Sequence, residues 1–422
     1  MTSHATTVII GQGYVGLPLA QAAVDAGLAV IGLDMNEDIV SQLNSGVSHI
    51  DDLRDSEVAA MVERGYRASS DSSVIADAST VVICVPTPLS ESGEPDLRAV
   101  RGASESIAEH LRPGTLVVLE STTYPGTTDD LVRPILECRG LVAGVDFHLA
   151  FSPERIDPGN AVYGIRNTPK VVGGINAGST EAARTFYLNF VDTVVPTKGT
   201  REAETAKLLE NTYRHINIAL VNEMARFCHE LDIDIWDVIN AAATKPFGFQ
   251  AFYPGPGVGG HCIPIDPNYL SFEVQRKLGH PFRFVELAEE INNSMPKYIV
   301  SRVQDALNDK ERSLRGSRVL LLGVTYKANI SDQRESPSRP IAELLLAKGA
   351  TVEYHDPHVH TWALDNGTTL SVSSDELEAA RNADIVVLLQ NHSQYDLGAL
   401  VEASSVFFDS RGVTKGPKVV RL

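Results

Sequence analysis

Cysteine and positive charge are scarce in this chain. Only four cysteines occur in 422 residues, Cys84, Cys138, Cys228 and Cys262. They show neither the paired spacing of a metal site nor the density of a disulfide scaffold, which points to a reduced, cytoplasmic protein without a bound metal. Basic residues number 36 against 54 acidic ones, a formal net charge of -18. That deficit excludes general binding to nucleic acid or to an anionic membrane, both of which need a positive field, but leaves room for a local anion pocket. No apolar run reaches the length of a membrane span. Met1–Thr7 carries none of the parts of a secretion signal. Solenoid repeats and low-complexity tracts are absent too.

What is present is an ordinary globular balance, 43% hydrophobic and 21% charged, at a length that suits two or three domains. Thr7–Ile10 reads as a strand, followed by a glycine turn and a helix to about Ala26. Further strands are expected at Ala29–Leu33, Thr80–Val85, Thr115–Glu120, His148–Phe151 and Val171–Gly173. Strands alternating with helices predict a parallel, doubly wound sheet. Between Asp51 and Arg67 the pattern gives no reading. Arg201–Leu231 keeps apolar residues at helical spacing with no Gly or Pro, which predicts one long, largely buried helix. Helix continues through Ala243 and returns over Phe284–Leu307, on either side of the glycine- and proline-rich loop Tyr253–Pro267. A second α/β unit follows, with strands at Val319–Leu322, Thr351–Tyr354, Asp384–Leu389 and Val406–Phe408, and a helix over Ser336–Lys348 that holds Pro337 in its first turn. The expected organisation is α/β: a domain over 1–197, a helical connector over 198–308 and a second α/β domain over 309–422.

The turn after the first strand reads Gly11, Gln12, Gly13, Tyr14, Val15, Gly16. In a strand–turn–helix corner the first glycine permits the tight turn, the second lets backbone approach a pyrophosphate, and the third lets helix and strand pack closely. The helix N-terminus then offers unpaired N–H groups to the anion. Asp34, at the end of the second strand, can accept the ribose hydroxyls and repel a 2′-phosphate, which favours NAD over NADP. Such a glycine pattern alone could be only a tightly packed corner. Here strand, helix and acid are all in place. Gly323 opens no comparable motif, so the second α/β unit is expected to bind something other than a dinucleotide.

Lys207 and Asn211 lie four apart on the long helix and share a face, with Arg214 three residues on. An isolated pair of this kind is usually a solvated stripe. This helix is apolar over most of its length, and it precedes a loop that runs from Pro254 through four glycines to His261, Cys262 and Asp266. Glycines there allow close approach to a ligand or special dihedrals. A cysteine there, unlike Cys84 and Cys228 in apolar surroundings, has the setting of a reactive thiol; the plainer alternative is a small buried filler. His261 could partner it or be structural. A nicotinamide and a thiolate together make a coherent chemistry. An alcohol loses a hydride to become an aldehyde, the thiolate adds, a second hydride leaves, and the thioester hydrolyses to an acid. Oxyanion charge at the tetrahedral stages calls for donors such as Lys207 and Asn211. Hydrolysis calls for a base, and Glu154, just past a strand end, is the best-placed carboxylate, unless it is a surface or capping residue.

Gly11–Pro18, Val85–Pro88, Glu120–Thr122, Ser152–Arg155, Lys207 with Asn211, Gly259–Cys262 and Lys327 with Arg334 occur in one order over nearly the whole chain. This set resembles the nucleotide-sugar 6-dehydrogenases, the UDP-glucose/GDP-mannose dehydrogenase family. The resemblance implies two Rossmann-like domains joined by a long central helix, NAD in the first, the nucleotide of the sugar in the second, and a homodimer through the central helix. It implies Cys262 as nucleophile, Lys207 and Asn211 as oxyanion stabilisers, Glu154 as acid/base group with Asp266 as its helper, and Thr122 as a water-orienting and cofactor-contacting residue. Tyr14, Val15, Thr87 and Arg334 join the glycines and Asp34 as cofactor positions. Arg155, Arg214, Phe252, Tyr253, Gly259 and Lys327 join Lys207 and Asn211 as substrate positions.

The stretch Gly260–Asp266 is similar to members acting on UDP-N-acetylhexosamines, and Ser152–Gly159 and Lys245–Phe249 point the same way, towards UDP-N-acetylglucosamine enzymes. UDP-glucose and dTDP-glucose are the alternatives, since a few pocket residues can reverse so small a discrimination. Two other readings compete. A β-hydroxyacid dehydrogenase also carries a lysine and an asparagine four apart, but transfers one hydride and needs no cysteine. A non-catalytic NAD-binding protein on the same fold would be expected to lack a reacting residue.

Overall fold

The computed structural model describes residues 6–90, 94–155, 162–260 and 263–422. They fall into two compact units, one within 1–210 together with 268–280 and one within 211–267 together with 281–422.

The first unit is built on an eight-stranded sheet of β1 Thr6–Ile10, β2 Ala29–Leu33, β3 Arg67–Ser69, β4 Ala78–Ile83, β5 Leu116–Leu119, β6 His148–Phe151, β7 Lys170–Gly174 and β8 Val194–Pro196. Their spatial order is β3-β2-β1-β4-β5-β6-β7-β8. The sequence predicts a parallel, doubly wound sheet. The structure corrects this at one seam, where β7 pairs antiparallel with β6. Strand side chains alternate between faces. Ile9, Val82 and Val118 therefore enter one core cluster, and Val8, Ile10, Val81, Ile83 and Val117 the other. Helices cover both faces, so these strands read as unbroken apolar runs. Each fully buried Val or Ile contributes about 1.5–3 kcal/mol.

Helices of this unit are α1 Gly16–Asp25, α2 Glu37–Asn44, α3 Asp55–Glu63, α4 Arg98–His110, α5 Arg133–Leu136 and α6 Ala177–Tyr187. The stretch that gave no reading in the sequence contains α3. The long helix α7 spans Thr200–Glu230, within one residue at each end of the expected range, but it is not largely buried: Leu209, Tyr213, Leu220 and Phe227 are exposed by 64%, 46%, 54% and 54%. It is followed by α8 Ile235–Ala243, α9 Asp266–Leu278 and α10 Arg283–Asn308.

The second unit has a five-stranded parallel sheet of β9 Arg318–Leu322, β10 Thr351–His355, β13 Ile385–Leu388, β14 Phe407–Asp409 and β15 Val419–Arg421, in the order β10-β9-β13-β14-β15. A small hairpin, β11 Thr361–Ala363 with β12 Thr369–Ser371, lies outside it. Helices α11 Ser338–Ala347, α12 Glu376–Asn382 and α13 Leu397–Ala403 complete the unit. Among the described residues no helix is long and apolar enough to cross a membrane, and no group of three or more His, Cys, Asp or Glu could hold a metal ion.

Candidate active site

In the first unit the strand order reverses between β1 and β4, and ligands of open α/β sheets bind beyond the strand ends at such a point. Gly11 turns the chain there with φ +89°, and a Cβ on it would meet the Cys84 carbonyl at 2.7 Å. A Cβ on Gly16 would lie 1.8 Å from the Gly11 carbonyl. Gly13 differs: nothing lies within 4 Å of the place its Cβ would take. Helix α1 starts at Gly16 after Val15, with no capping side chain and no acidic residue in its first turn. Helix α2 has both, an Asn36 cap with Glu37 and Asp38. Leu17 N and Leu19 N donate to the Gly13 and Val15 carbonyls at 3.1 and 3.2 Å and Pro18 has no N–H, so α1 offers an anion the positive end of its dipole with no side chain competing for it. The Asp34 carboxylate accepts from Gln12 N at 2.9 Å and Asn36 N at 3.0 Å and stays half-exposed. Empty space over Gly13, an uncapped helix start and a fixed carboxylate together fit NAD.

Thr87 and Thr122 are tied to each other, since Thr87 Oγ1 donates to the Thr122 carbonyl at 2.8 Å. Buried Tyr269 adds a hydrogen bond from its hydroxyl to the Thr87 carbonyl. In the same unit, Lys207 Nζ donates to the backbone oxygen of Glu154 at 2.5 Å, and both residues are buried. Arg155 is engaged by Glu210 at 2.8 Å and by the Pro169 carbonyl at 2.5 Å.

In the second unit Asn211 Nδ2 donates to the buried Asp266 carboxylate. Arg214 is exposed. Arg334 is exposed and forms a forked pair with Asp332, at 3.0 Å through Nε and 2.7 Å through Nη2, while its carbonyl accepts from Gly260 N at 3.0 Å. Lys327 is half-buried on the same segment. The glycines of the loop have a use within the protein. A Cβ on Gly259 would meet the Glu335 carbonyl at 2.6 Å, and one on Gly260 the Tyr326 ring at 2.7 Å. The loop therefore packs its backbone against the segment that carries Lys327 and Arg334. His261 and Cys262 lie outside the described residues.

Phe252 packs edge-on against Tyr213 at 5.7 Å. Tyr253 stacks on Trp236 at 6.1 Å and 13°. These two rings help line a cavity of ≈ 310 Å³ with Asp237, Arg411, Lys415 and Arg421. Arg411 Nε donates to the Leu389 carbonyl at 2.7 Å; burial lowers the pKa of its guanidinium and Asp409 raises it. Arg411 and Trp236 were not singled out from the sequence. A signal existed for Arg411: it stands two residues beyond the end of a parallel strand, where such sheets bind ligands.

Residues 5–191 match the NAD binding domain of the UDP-glucose/GDP-mannose dehydrogenase family, 201–294 its central domain and 320–416 its UDP binding domain. The UDP-N-acetyl-D-mannosamine dehydrogenase of Methanococcus maripaludis is 34% identical over 393 residues, 92% of this chain and 86% of that one. The enzyme of that name from Escherichia coli K12 is 34% identical over 408 residues, 93% and 95% of the two chains. Among solved structures, the UDP-D-ManNAc dehydrogenase of Pyrococcus horikoshii superposes with a TM-score of 0.89 at 29% identity, over 99% of this chain and 98% of that one.

Proposed function

Since this chain belongs to the UDP-glucose/GDP-mannose dehydrogenase family and is an NAD-dependent oxidoreductase of nucleotide sugars, we propose that it carries the C6 alcohol of a UDP-N-acetylhexosamine to the carboxylate in two oxidations through Cys262. UDP-N-acetylglucosamine is the first choice, and its C2 epimer, named for the relatives, is the nearest rival. The observation that carries the reading is the pairing of polar residues along α7: buried Lys207 on buried Glu154, and half-buried Asn211 on buried Asp266. Polar groups this buried need a partner or a purpose.

NAD would be held by the Gly11–Gly16 turn and Asp34, with Thr87, Thr122 and Arg334 as further contacts, and would accept one hydride per molecule, so two are consumed in turn. After the first oxidation the Cys262 thiolate adds to the aldehyde carbon. Lys207 and Asn211 donate to the oxygen on which charge collects. Loss of the second hydride leaves a thioester. Glu154, helped by Asp266, takes a proton from water oriented by Thr122. The water oxygen bonds to carbon, the carbon–sulfur bond breaks, and the carboxylate leaves. In this reading Phe252, Tyr253, Gly259 and Lys327, with Arg155 and Arg214, seat the sugar nucleotide, and 1–197, 198–308 and 309–422 divide the work between cofactor, cysteine loop and nucleotide. A cytoplasmic location belongs to the proposal, supported by the free thiols of Cys84, Cys138 and Cys228.

The test is NADH released per mole of limiting UDP-N-acetylglucosamine, UDP-N-acetylmannosamine, UDP-glucose or dTDP-glucose, by wild type and Cys262→Ala. Two equivalents from one N-acetylhexosamine, lost in the variant, are expected. One equivalent that survives the substitution would remove the thioester route, and two from a glucose nucleotide would change the sugar.

A homodimer through the central helix is part of the same proposal. On α7 the second unit exposes Tyr213, Leu220 and Phe227 by 46%, 54% and 54%, and Leu231 just past its end by 68%. These residues recur at helical spacing, as an unfilled interface would. Sedimentation equilibrium should give twice the chain mass for wild type and a lower mass for Leu220→Glu with Phe227→Glu. Wild type at monomer mass would refute the dimer.

A further inference from the structure

The stretch from Ser121 to Thr128 carries Thr122 away from β5, and it is strapped down at three places. Ser121 Oγ donates to the Val85 carbonyl at 2.7 Å, and Thr87 holds the Thr122 carbonyl. At the far end a single side chain does the holding. Glu204, fully buried one turn into α7, accepts from Gly126 N at 2.5 Å through Oε2, and from Thr128 N at 2.9 Å and Thr128 Oγ1 at 2.7 Å through Oε1. Lys207 stands three residues further along the same helix with its ammonium on Glu154. The chemistry described above makes no use of Glu204.

We infer that Glu204 is a positioning residue, a clamp that fixes the segment bearing Thr122 to the helix bearing Lys207 and that closes fully only when its carboxylate is ionised. Three donors converge on two oxygens. A proton on Oε2 would face the Gly126 N–H and take away its acceptor, and a proton on Oε1 would do the same to Thr128. Burial pushes the Glu204 carboxyl up to about 7 against the pull of the Gly126 and Thr128 donors, and Asp129 adds to the rise. The other charged groups around it are mutually engaged. Arg201 on α7 reaches Asp129 at 3.3 Å and Asp130 at 2.8 Å, and Lys277 on α9 lies 3.6 Å from Asp130. The raised value sets the sign: the clamp is closed above neutrality and loosens as pH falls through it.

The inference rests on Thr122 being a cofactor contact, so its readout is NAD binding without sugar nucleotide, where Cys262 plays no part. The NAD dissociation constant is measured by titration calorimetry from about pH 6 to about pH 8, and wild type should tighten about threefold or more across that range. Glu204→Gln, which aims an amide donor at one of the three donors, should stay at the weak, low-pH level throughout. Thr128→Val removes a donor that favours the ionised form and should move the midpoint up. Asp129→Asn removes a neighbouring negative charge and should move it down. A Glu204→Gln protein with the wild-type pH dependence, or Thr128→Val and Asp129→Asn shifting the midpoint in one direction, would overturn the clamp. Thr122→Val is the separate control. Unchanged NAD affinity there, with the Glu204 dependence intact, would overturn the reading of Thr122 and leave the clamp standing.

Discussion

The two units make the same corner twice and use it in opposite ways. In the first, Gly11 N donates to the Leu33 carbonyl at 2.8 Å and Gln12 N to the Asp34 carboxylate at 2.9 Å. In the second, Gly323 N donates to the His355 carbonyl at 3.0 Å and Val324 N to the Asp356 carboxylate at 2.7 Å. Strand, glycine and acid correspond residue for residue. Their surroundings do not. A helix starts five residues after Gly11, but the helix that follows Gly323 starts only at Ser338. Asp34 is half-exposed, whereas Asp356 is 1% exposed and faces His392 Nε2 at 3.1 Å. His392 stands just past β13, at the point where this sheet reverses its order. The crevice that the first unit keeps for a ligand is closed in the second by a side chain. The strand–glycine–acid skeleton is therefore a scaffold, and binding is decided by what fills the space above it.

The strongest way to break this comparison is at the glycines of the first corner. Gly16→Ala drives a methyl into the Gly11 carbonyl, 1.8 Å away. It should cost on the order of 3 kcal/mol of stability in urea unfolding. Gly13→Ala has nothing within 4 Å and no left-handed φ. It should change stability by no more than about 1 kcal/mol yet weaken NAD binding about tenfold or more. The opposite result, a stability loss at Gly13 with normal NAD affinity, would mean that the open space is not the cofactor's seat.

The glycine corner was legible in the sequence because its signal is local: strand, turn, helix and acid fall within 34 residues. The buried strands were legible because both faces are covered and the runs are continuous. The antiparallel sense of β7 was not, since direction is set by pairing and leaves no mark in composition. β3 is an edge strand of Arg67, Ala68 and Ser69, defined only by its ladder to β2. Helix α3 starts after Arg54, whose backbone N–H is held by Glu57 at 2.9 Å, rather than after a usual capping residue. The long-range partners were out of reach for the same reason. His392 lies 36 residues from Asp356, and the donors of Glu204 lie 76 and 78 residues away. Nothing in their spacing along the chain announces a meeting that only the folded sheets bring about.

His392 gives a finer contrast between the two acids. Its Nδ1 accepts from Asn329 N at 2.9 Å, which leaves Nε2 to carry the proton toward Asp356. It thereby pins the Lys327–Arg334 segment, and Asn329 Oδ1 in turn accepts from Ser393 N at 2.8 Å. Burial pushes the Asp356 carboxyl up, but His392 and the N–H groups of Val324 and His358 outweigh it and hold it below the usual carboxylate range. His392→Leu strands the Asn329 N–H and one side of Asp356 inside the fold, at a cost of about 1–3 kcal/mol. Asp34→Ala, at a half-exposed position, should stay within ~0.5 kcal/mol of wild type while weakening NAD binding about tenfold. His392→Asn separates the two bonds of the ring, because its amide oxygen can replace Nδ1 toward Asn329 but cannot reach Asp356. If it recovers most of the loss seen in His392→Leu, the ring serves to hold the segment. If it recovers none, the ring serves to give the buried acid its hydrogen bond. Equal stability losses for His392→Leu and Asp34→Ala would erase the distinction between a filled corner and an open one.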